Sequence, residues 1–277
     1  MYLKTIILSL AFLLVSKLSL SQTLSAETIL ISTSFGDMKV KLFNETPLHK
    51  ANFLKLISEH FYDSLLFHRI IQGFMIQGGD PDSKHADSKK LLGDGDLNYT
   101  IPAEIVPGLC HKKGMLCAAR NSDDVNPTKA SSAFQFYIVQ GKIRVDKDLI
   151  SFEKRINRDL ITKLKDAYFT DPANKRLQEK IAYFKAEANA DSLLFYTKIL
   201  DENINPLYEK APHYQFSEAH KTIYKTIGGT PHLDTNYTIF GEVISGLDVI
   251  DKIAAVGTNK EDRPFMDIRM SISIIKQ

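Results

Sequence analysis

Tryptophan is absent from this chain, so any aromatic wall for a ligand must be built from Phe, Tyr or His. Cysteine is nearly absent: Cys110 and Cys117 are the only two among 277 residues. Their spacing fits no zinc pattern. Cys117 lies in an apolar run that reads as a strand, where a small buried thiol is expected rather than a bridge. A dominant charge is also lacking. Lys and Arg number 35 against 33 Asp and Glu, a net +2, too small an excess to argue for nucleic acid or an anionic membrane. No internal repeat and no low-complexity segment occurs. Asp80-x-Asp82 and Asp94-x-Asp96 touch on a calcium-loop pattern, but the remaining ligand spacing fails.

One apolar run stands out, and it is short. Met1 to Lys4 carries one positive charge, Thr5 to Val15 is almost wholly apolar, and Ser19-Leu20-Ser21 offers small residues before Gln22. This is the layout of a secretory signal peptide cleaved near Ser21/Gln22. An uncleaved anchor is the alternative, but a bilayer span needs about 20 apolar residues. No cysteine follows the run, so the lipoprotein route is closed. Residues 1–21 are expected to be a removed leader. Residues 22–277 are expected to form an exported domain, periplasmic or in the cell envelope, with no membrane span.

Thr28 to Thr33 and Met38 to Phe43 alternate and read as a hairpin. Thr46-Pro47 is a cap and first-turn signal for a helix through about Glu59, with Ala51, Phe53, Leu54 and Ile57 as its apolar stripe. Leu65 to Gln77 reads as two strands split at Gln72-Gly73. Further strands are expected over 114–119, 134–139, 237–243 and 267–275, with a short helix over 246–254. Many short strands and few helices suggest a closed antiparallel β-barrel. From about Lys142 to Tyr214 the period becomes helical. Ile156, Leu160, Leu164 and Tyr168 recur every fourth residue, Leu177, Ile181, Phe184 and Ala188 recur at helical spacings of four and three, and Leu193 to Leu200 gives a third stripe. This segment is expected to be a helical insertion. A fourth helical stretch starts at the Ser217 cap and ends at Gly228-Gly229.

The most informative run is Phe67-His68-Arg69-Ile70-Ile71-Gln72-Gly73-Phe74-Met75-Ile76-Gln77-Gly78-Gly79-Asp80. It sets one arginine and one glutamine inside an apolar, strand-forming stretch. A cation on the same side as apolar neighbours either has a buried partner or does chemistry in a dry pocket. The run closely resembles the signature of the cyclophilins, the cyclophilin-type peptidyl-prolyl cis-trans isomerases, F-H-R-I-I-x-G-F-M-x-Q-G-G-D. The resemblance covers about Thr28 to Gly141 and Gly228 to the C-terminus. It implies an eight-stranded barrel capped by two helices, with the active site on its outer face. It also implies an isomerase that needs no metal or cofactor and acts on proline-containing polypeptides.

On that resemblance Arg69 is the catalytic donor; taken alone, it would be read as a structural ion pair. Gln77 holds the substrate backbone or orients Arg69. Phe74 and Met75 floor a proline pocket; by themselves they would be core. Gly114-Met115-Leu116-Cys117-Ala118-Ala119-Arg120 and Ser131 to Ile138 are similar to two further family segments. They imply substrate-binding roles for Ala119, Arg120 (through its backbone), Gln135 and Tyr137, whose hydroxyl is expected at the rim. Gly229-Thr230-Pro231-His232-Leu233-Asp234 with Tyr237 and Ile239-Phe240-Gly241 resembles a third. It adds Leu233, and it places His232 where many members carry Trp and Tyr237 where they carry His. These two departures weigh against cyclosporin binding more than against isomerase activity. As a plain loop residue, His232 would be solvent-exposed. The rival function is a non-catalytic proline-binding chaperone module, for which the arginine is less needed.

Overall fold

Alternation decides the sheet. The computed structural model describes residues 27–275; the expected leader, residues 1–21, lies outside them. β1 (Thr28–Thr33) and β2 (Gly36–Leu42) form the first hairpin. Its turn is tighter than the sequence suggests, with Thr33 paired directly to Gly36. β3 (Phe67–Ile71), β4 (Met75–Gly78), β6 (Met115–Ala118), β8 (Phe136–Val139), β9 (Ile239–Ser245) and β10 (Met270–Ile275) complete an eight-stranded sheet. Its order is β10-β1-β2-β9-β6-β8-β4-β3, and its ladders are antiparallel. The short β5 (Thr100–Ile101) and β7 (Ser131–Ser132) pair separately.

The fold is mainly β with flanking helices, but the sheet is an open one rather than the closed barrel expected. No ladder joins its end strands β3 and β10. They meet through one bridge, Leu66 with Arg269, and through backbone bonds from Phe67 N to Ile268 O and Met270 N to Leu65 O, 2.9 and 2.8 Å. A twisted sheet of this size curls, and a bulge between Phe67 and Arg69 bends β3 in its pairing with β4.

One face of the sheet packs the main core: Ile29, Ile31, Val40, Phe67, Ile76, Leu116, Phe136 and Ile138 are at most 1% exposed. Two helices cover it. α1 (Pro47–Ser58) contributes Phe53, Leu56 and Ile57. Phe53 meets Phe136 edge-on at 5.5 Å and Phe240 at 5.2 Å, so Phe53→Ala would cost about 3–5 kcal/mol. Thr46 does not cap α1 through its side chain. The Glu104 carboxylate does so from a distant loop, accepting from the N–H groups of Leu48 and His49, both at 3.0 Å. The second helix (Leu247–Ala254), the last in the chain, buries Val249, Ile250, Ile253 and Ala254.

Between β8 and β9 lie α2 (Asp146–Ile156), α3 (Arg158–Thr170), α4 (Lys175–Ala186), α5 (Ala190–Lys210) and α6 (Glu218–Thr226); the last helix is therefore α7. Two features depart from the periodicity. α2 precedes the first stripe read from sequence; its anchors are Leu149, Phe152 and Ile156. α5 runs ten residues past Leu200 and through Pro206, because buried Ile204 and Tyr208 hold its last turns. α3 and α4 bury no residue fully. Both ends of this region are tied beside the sheet: Lys142 N bonds Gly229 O at 3.3 Å, and Gly229 N bonds Lys142 O at 3.0 Å. Gly141 sits there with φ +67°, and any Cβ on it would run into the Gly229 backbone.

Candidate active site

Register assembles the site. Arg69 of β3 lies opposite Gln77 of β4, Gln77 opposite Tyr137 of β8, Tyr137 opposite Cys117 of β6, and Cys117 opposite Ile239 of β9. Residues directly opposite on adjacent strands share a face. This row therefore stands on the side away from the main core. Met75, Met115, Cys117, Tyr137, Val139, Leu233 and Ile239 form a second apolar cluster there, with Phe74, Ala119 and Tyr237 at its edge.

A groove of about 180 Å³ opens over this cluster. Its walls are Arg69, Phe74, Met75, Gln77, Ala119, Arg120, Tyr137, Leu233 and Tyr237, nine of the eleven residues singled out from the sequence. The other two stand immediately behind. Gln135 accepts from Gln77 Nε2 at 3.0 Å and donates to the Gly93 carbonyl at 2.7 Å. His232 stacks on Phe74, centroids 5.5 Å apart and planes 28° apart.

Arg69 is ion-paired and hydrogen-bonded, yet not buried. Its Nε donates to Asp262 Oδ2 at 3.3 Å, and its Nη1 to Gln77 Oε1 at 3.4 Å. The side chain is still 42% exposed toward the groove. The donors then run one way, from Arg69 to Gln77 to Gln135 to the Gly93 carbonyl. Each amide is thereby oriented, and Gln77 Oε1 is one of two acceptors that hold the Arg69 guanidinium. A buried or half-buried polar chain of this kind holds its geometry because each member is satisfied.

Three sequence expectations need correction. Tyr137 is only 4% exposed and its hydroxyl is buried, not at the rim; burial pushes the phenol well above its usual pKa. His232 is not a solvent-exposed loop residue. It lies between Phe74 and Phe152 of α2, the latter 5.4 Å away, and its pKa falls to about 4 through burial first and then the nearby Arg155 and Arg144. It is therefore a neutral ring at pH 7. The Arg120 side chain is not idle. It donates to the Asn236 carbonyl at 2.7 Å, pairs with Asp123 at 2.7 Å, and sits 4.6 Å from the Tyr237 ring centroid. That places a cation over an aromatic face and fixes one wall of the groove.

Sequence reasoning missed the supports. Asp262 is 193 residues from Arg69 and sits in a polar loop that offers no pattern to read. Below Tyr237, the buried Asp234 accepts from His111 Nδ1 at 2.7 Å and from the Tyr224 hydroxyl at 2.7 and 2.8 Å, which pins the 230–237 loop. Phe152 alone had a signal, the Leu149, Phe152, Ile156 spacing. Cys110 and Cys117 are both buried and free. Burial raises both thiol pKa values, that of Cys110 to about 11, which suits packing rather than reactivity.

Residues 28–152 and 209–273 match the family model for the cyclophilin type peptidyl-prolyl cis-trans isomerases; the gap spans most of α3 to α5. The chain is 28% identical over 243 residues to a Streptococcus pyogenes protein provisionally named a bifunctional phosphatase/peptidyl-prolyl cis-trans isomerase. That alignment covers 87% of this chain but only 37% of that relative's length. A Staphylococcus aureus protein provisionally named a peptidyl-prolyl cis-trans isomerase is 24% identical, with 87% of each chain covered. The crystal structure of a cyclophilin-type isomerase from Cryptosporidium parvum superposes with a TM-score of 0.51 at 20% identity, covering 91% of this chain and 99% of that one; that likeness speaks to the fold. With the family match extending over both halves of the sheet and over every wall of the groove, this chain belongs to the cyclophilin-type peptidyl-prolyl cis-trans isomerases.

Proposed function

We propose that the groove catalyses rotation about X-Pro peptide bonds in exported polypeptides, with Arg69 as the catalytic donor. The barrier is ~18–20 kcal/mol because the prolyl nitrogen lone pair is delocalised into the carbonyl. Twisting the bond localises that pair on nitrogen. A fixed N–H donor stabilises the twisted state more than the planar one, which is the requirement for catalysis. The observation that carries this reading is the partly exposed Arg69 guanidinium, held by Asp262 and Gln77 in a groove that Phe74, Met75 and Leu233 also line. Phe74, Met75 and Leu233 accept the proline ring and exclude water, Ala119 leaves room beside the groove, and the Arg120 backbone pairs with the substrate chain. No proton transfer and no covalent intermediate is required of these residues.

The periplasmic or envelope location rests on residues 1–21 having the layout of a cleaved leader. Residues 22–277 then form the mature chain, with 142–214 as its helical insertion. Among the described residues no helix is long and apolar enough to cross a membrane. In solution the Leu66–Arg269 bridge would serve as the seam of a barrel. Cyclosporin would bind poorly, since His232 is packed between Phe74 and Phe152 rather than projecting as an indole would. The test is a direct isomerase assay on a chromogenic X-Pro peptide and on a protein whose refolding waits ~10–100 s for proline. Acceleration of both is expected. Binding of the peptide without acceleration would leave the non-catalytic chaperone reading in its place.

A further inference from the structure

The Tyr237 ring that closes the proline groove on one side also closes a second cavity, of about 390 Å³. The loop over 105–109 supplies Ile105, Val106 and Leu109, β9 supplies Ile239, and the chain returning from the helical insertion supplies Tyr214. The walls are preorganised. Tyr237 is held edge-on by Tyr137 at 5.9 Å and under the Arg120 guanidinium. Tyr214 is held by Asn157, which accepts from its backbone N–H at 2.9 Å, and by an edge contact with Phe216 at 5.2 Å.

The chemistry of the cavity restricts its ligand. Asp234 is the only carboxylate among its lining residues. It is 1% exposed and already accepts from His111 and Tyr224. A cationic side chain would find that carboxylate already taken, by the Tyr214 hydroxyl as well at 3.4 Å, and would lose its hydration. Two fixed phenol rings and several aliphatic walls suit an aromatic side chain, which gains from offset or edge contacts as well as from burial. The cavity shares a wall with the proline groove, and an extended chain advances about 3.3 Å per residue. A few residues of one polypeptide can therefore reach both pockets past the shared Tyr237 ring.

We propose that this cavity is a second subsite that takes an uncharged aromatic side chain of the same polypeptide whose proline lies in the groove. The proposal rests on the isomerase reading and narrows its substrate class to prolines with an aromatic residue close by. It also gives the insertion a role in recognition, because Tyr214 belongs to its returning end.

The test uses the full chain and a set of Ala/Gly peptides with a single proline. Each carries one Phe two, three or four residues to either side, and a control carries none. Ile105→Lys places a charge in the cavity wall, outside the proline groove, at a residue already 37% exposed. Two readouts are taken, isomerisation rate and peptide binding followed by the NMR shifts of the two Val106 methyls. At one Phe position, kcat/KM should rise about tenfold over the control, with shifts at those methyls, and Ile105→Lys should abolish both gains while leaving the control peptide unchanged. Equal kcat/KM for every peptide, or a Phe preference that survives Ile105→Lys, would overturn the subsite. Shifts at the cavity methyls without isomerisation of any peptide would overturn the isomerase reading and leave the subsite standing.

Discussion

Arg69 cannot be understood without its partners. Asp262 and Gln77 hold its guanidinium at one edge of the groove, at 3.3 and 3.4 Å. Asp262→Asn keeps the shape and removes the charge, so the guanidinium should wander. We expect kcat to fall about 3- to 10-fold with little change in KM, measured on a short X-Pro peptide; an unchanged kcat would show that Asp262 does not position Arg69. Glu in place of Gln77 would convert an oriented amide chain into a competing ion pair and should cost more than Asp262→Asn in the same assay. At this scale the site was legible where residues lie on strands. Alternation within the 67–80 run puts Arg69, Met75 and Gln77 on one face because it is local; their roles, and that of Phe74 in the turn between β3 and β4, came from the resemblance to the cyclophilin signature. The partners were not legible. Asp262 reaches Arg69, and Glu104 reaches the start of α1, across 193 and 55 residues, and no local period encodes such a pairing.

The insertion divides into two parts with different expected consequences. α2 places Phe152 against His232, which stacks on Phe74 of the groove; α3 and α4 bury no residue fully. Asn157 and Tyr214 are bonded to each other at 2.9 Å, so the chain can be closed between them by a short linker. Replacing 158–210 with Gly/Ser should keep kcat/KM on a tetrapeptide within about twofold. Removing 142–214 as a whole takes Phe152 away as well and should lower it by several-fold in a still-folded sheet. Equal effects of the two deletions would show that α2 does not buttress the groove. The helices α3 and α4 were readable from their three- and four-residue spacing. α2 fell inside the expected helical region over 142–214, though its own three-anchor stripe is shorter, and the extension of α5 through Pro206 depends on Ile204 and Tyr208 finding tertiary partners, which overrides the local cost of proline.

Across the whole molecule, buried imidazoles set the response to acid. Burial depresses the pKa of His68 to about 4, with Arg69 and Arg263 acting in the same direction and Asp80 against it; burial also lowers His49 and His232. In the unfolded chain these rings bind a proton near pH 6.5, whereas the folded protein resists it. The unfolded state therefore carries more protons between about pH 6.5 and 4, and stability should fall as pH drops through that window. His68, 3% exposed, contributes on the order of 3 kcal/mol to that loss. Denaturant unfolding at pH 7, 5.5 and 4.5 should show the decline, and a His68→Gln variant should show a shallower one; identical slopes would remove His68 from the account. The central claim remains the groove chemistry, and Arg69→Ala in the full chain tests it most directly. With the fold verified by NMR, kcat/KM for an X-Pro peptide should fall by on the order of 10²–10³, about 3–4 kcal/mol of lost transition-state stabilisation. An isomerisation rate equal to that of the unaltered protein would contradict it.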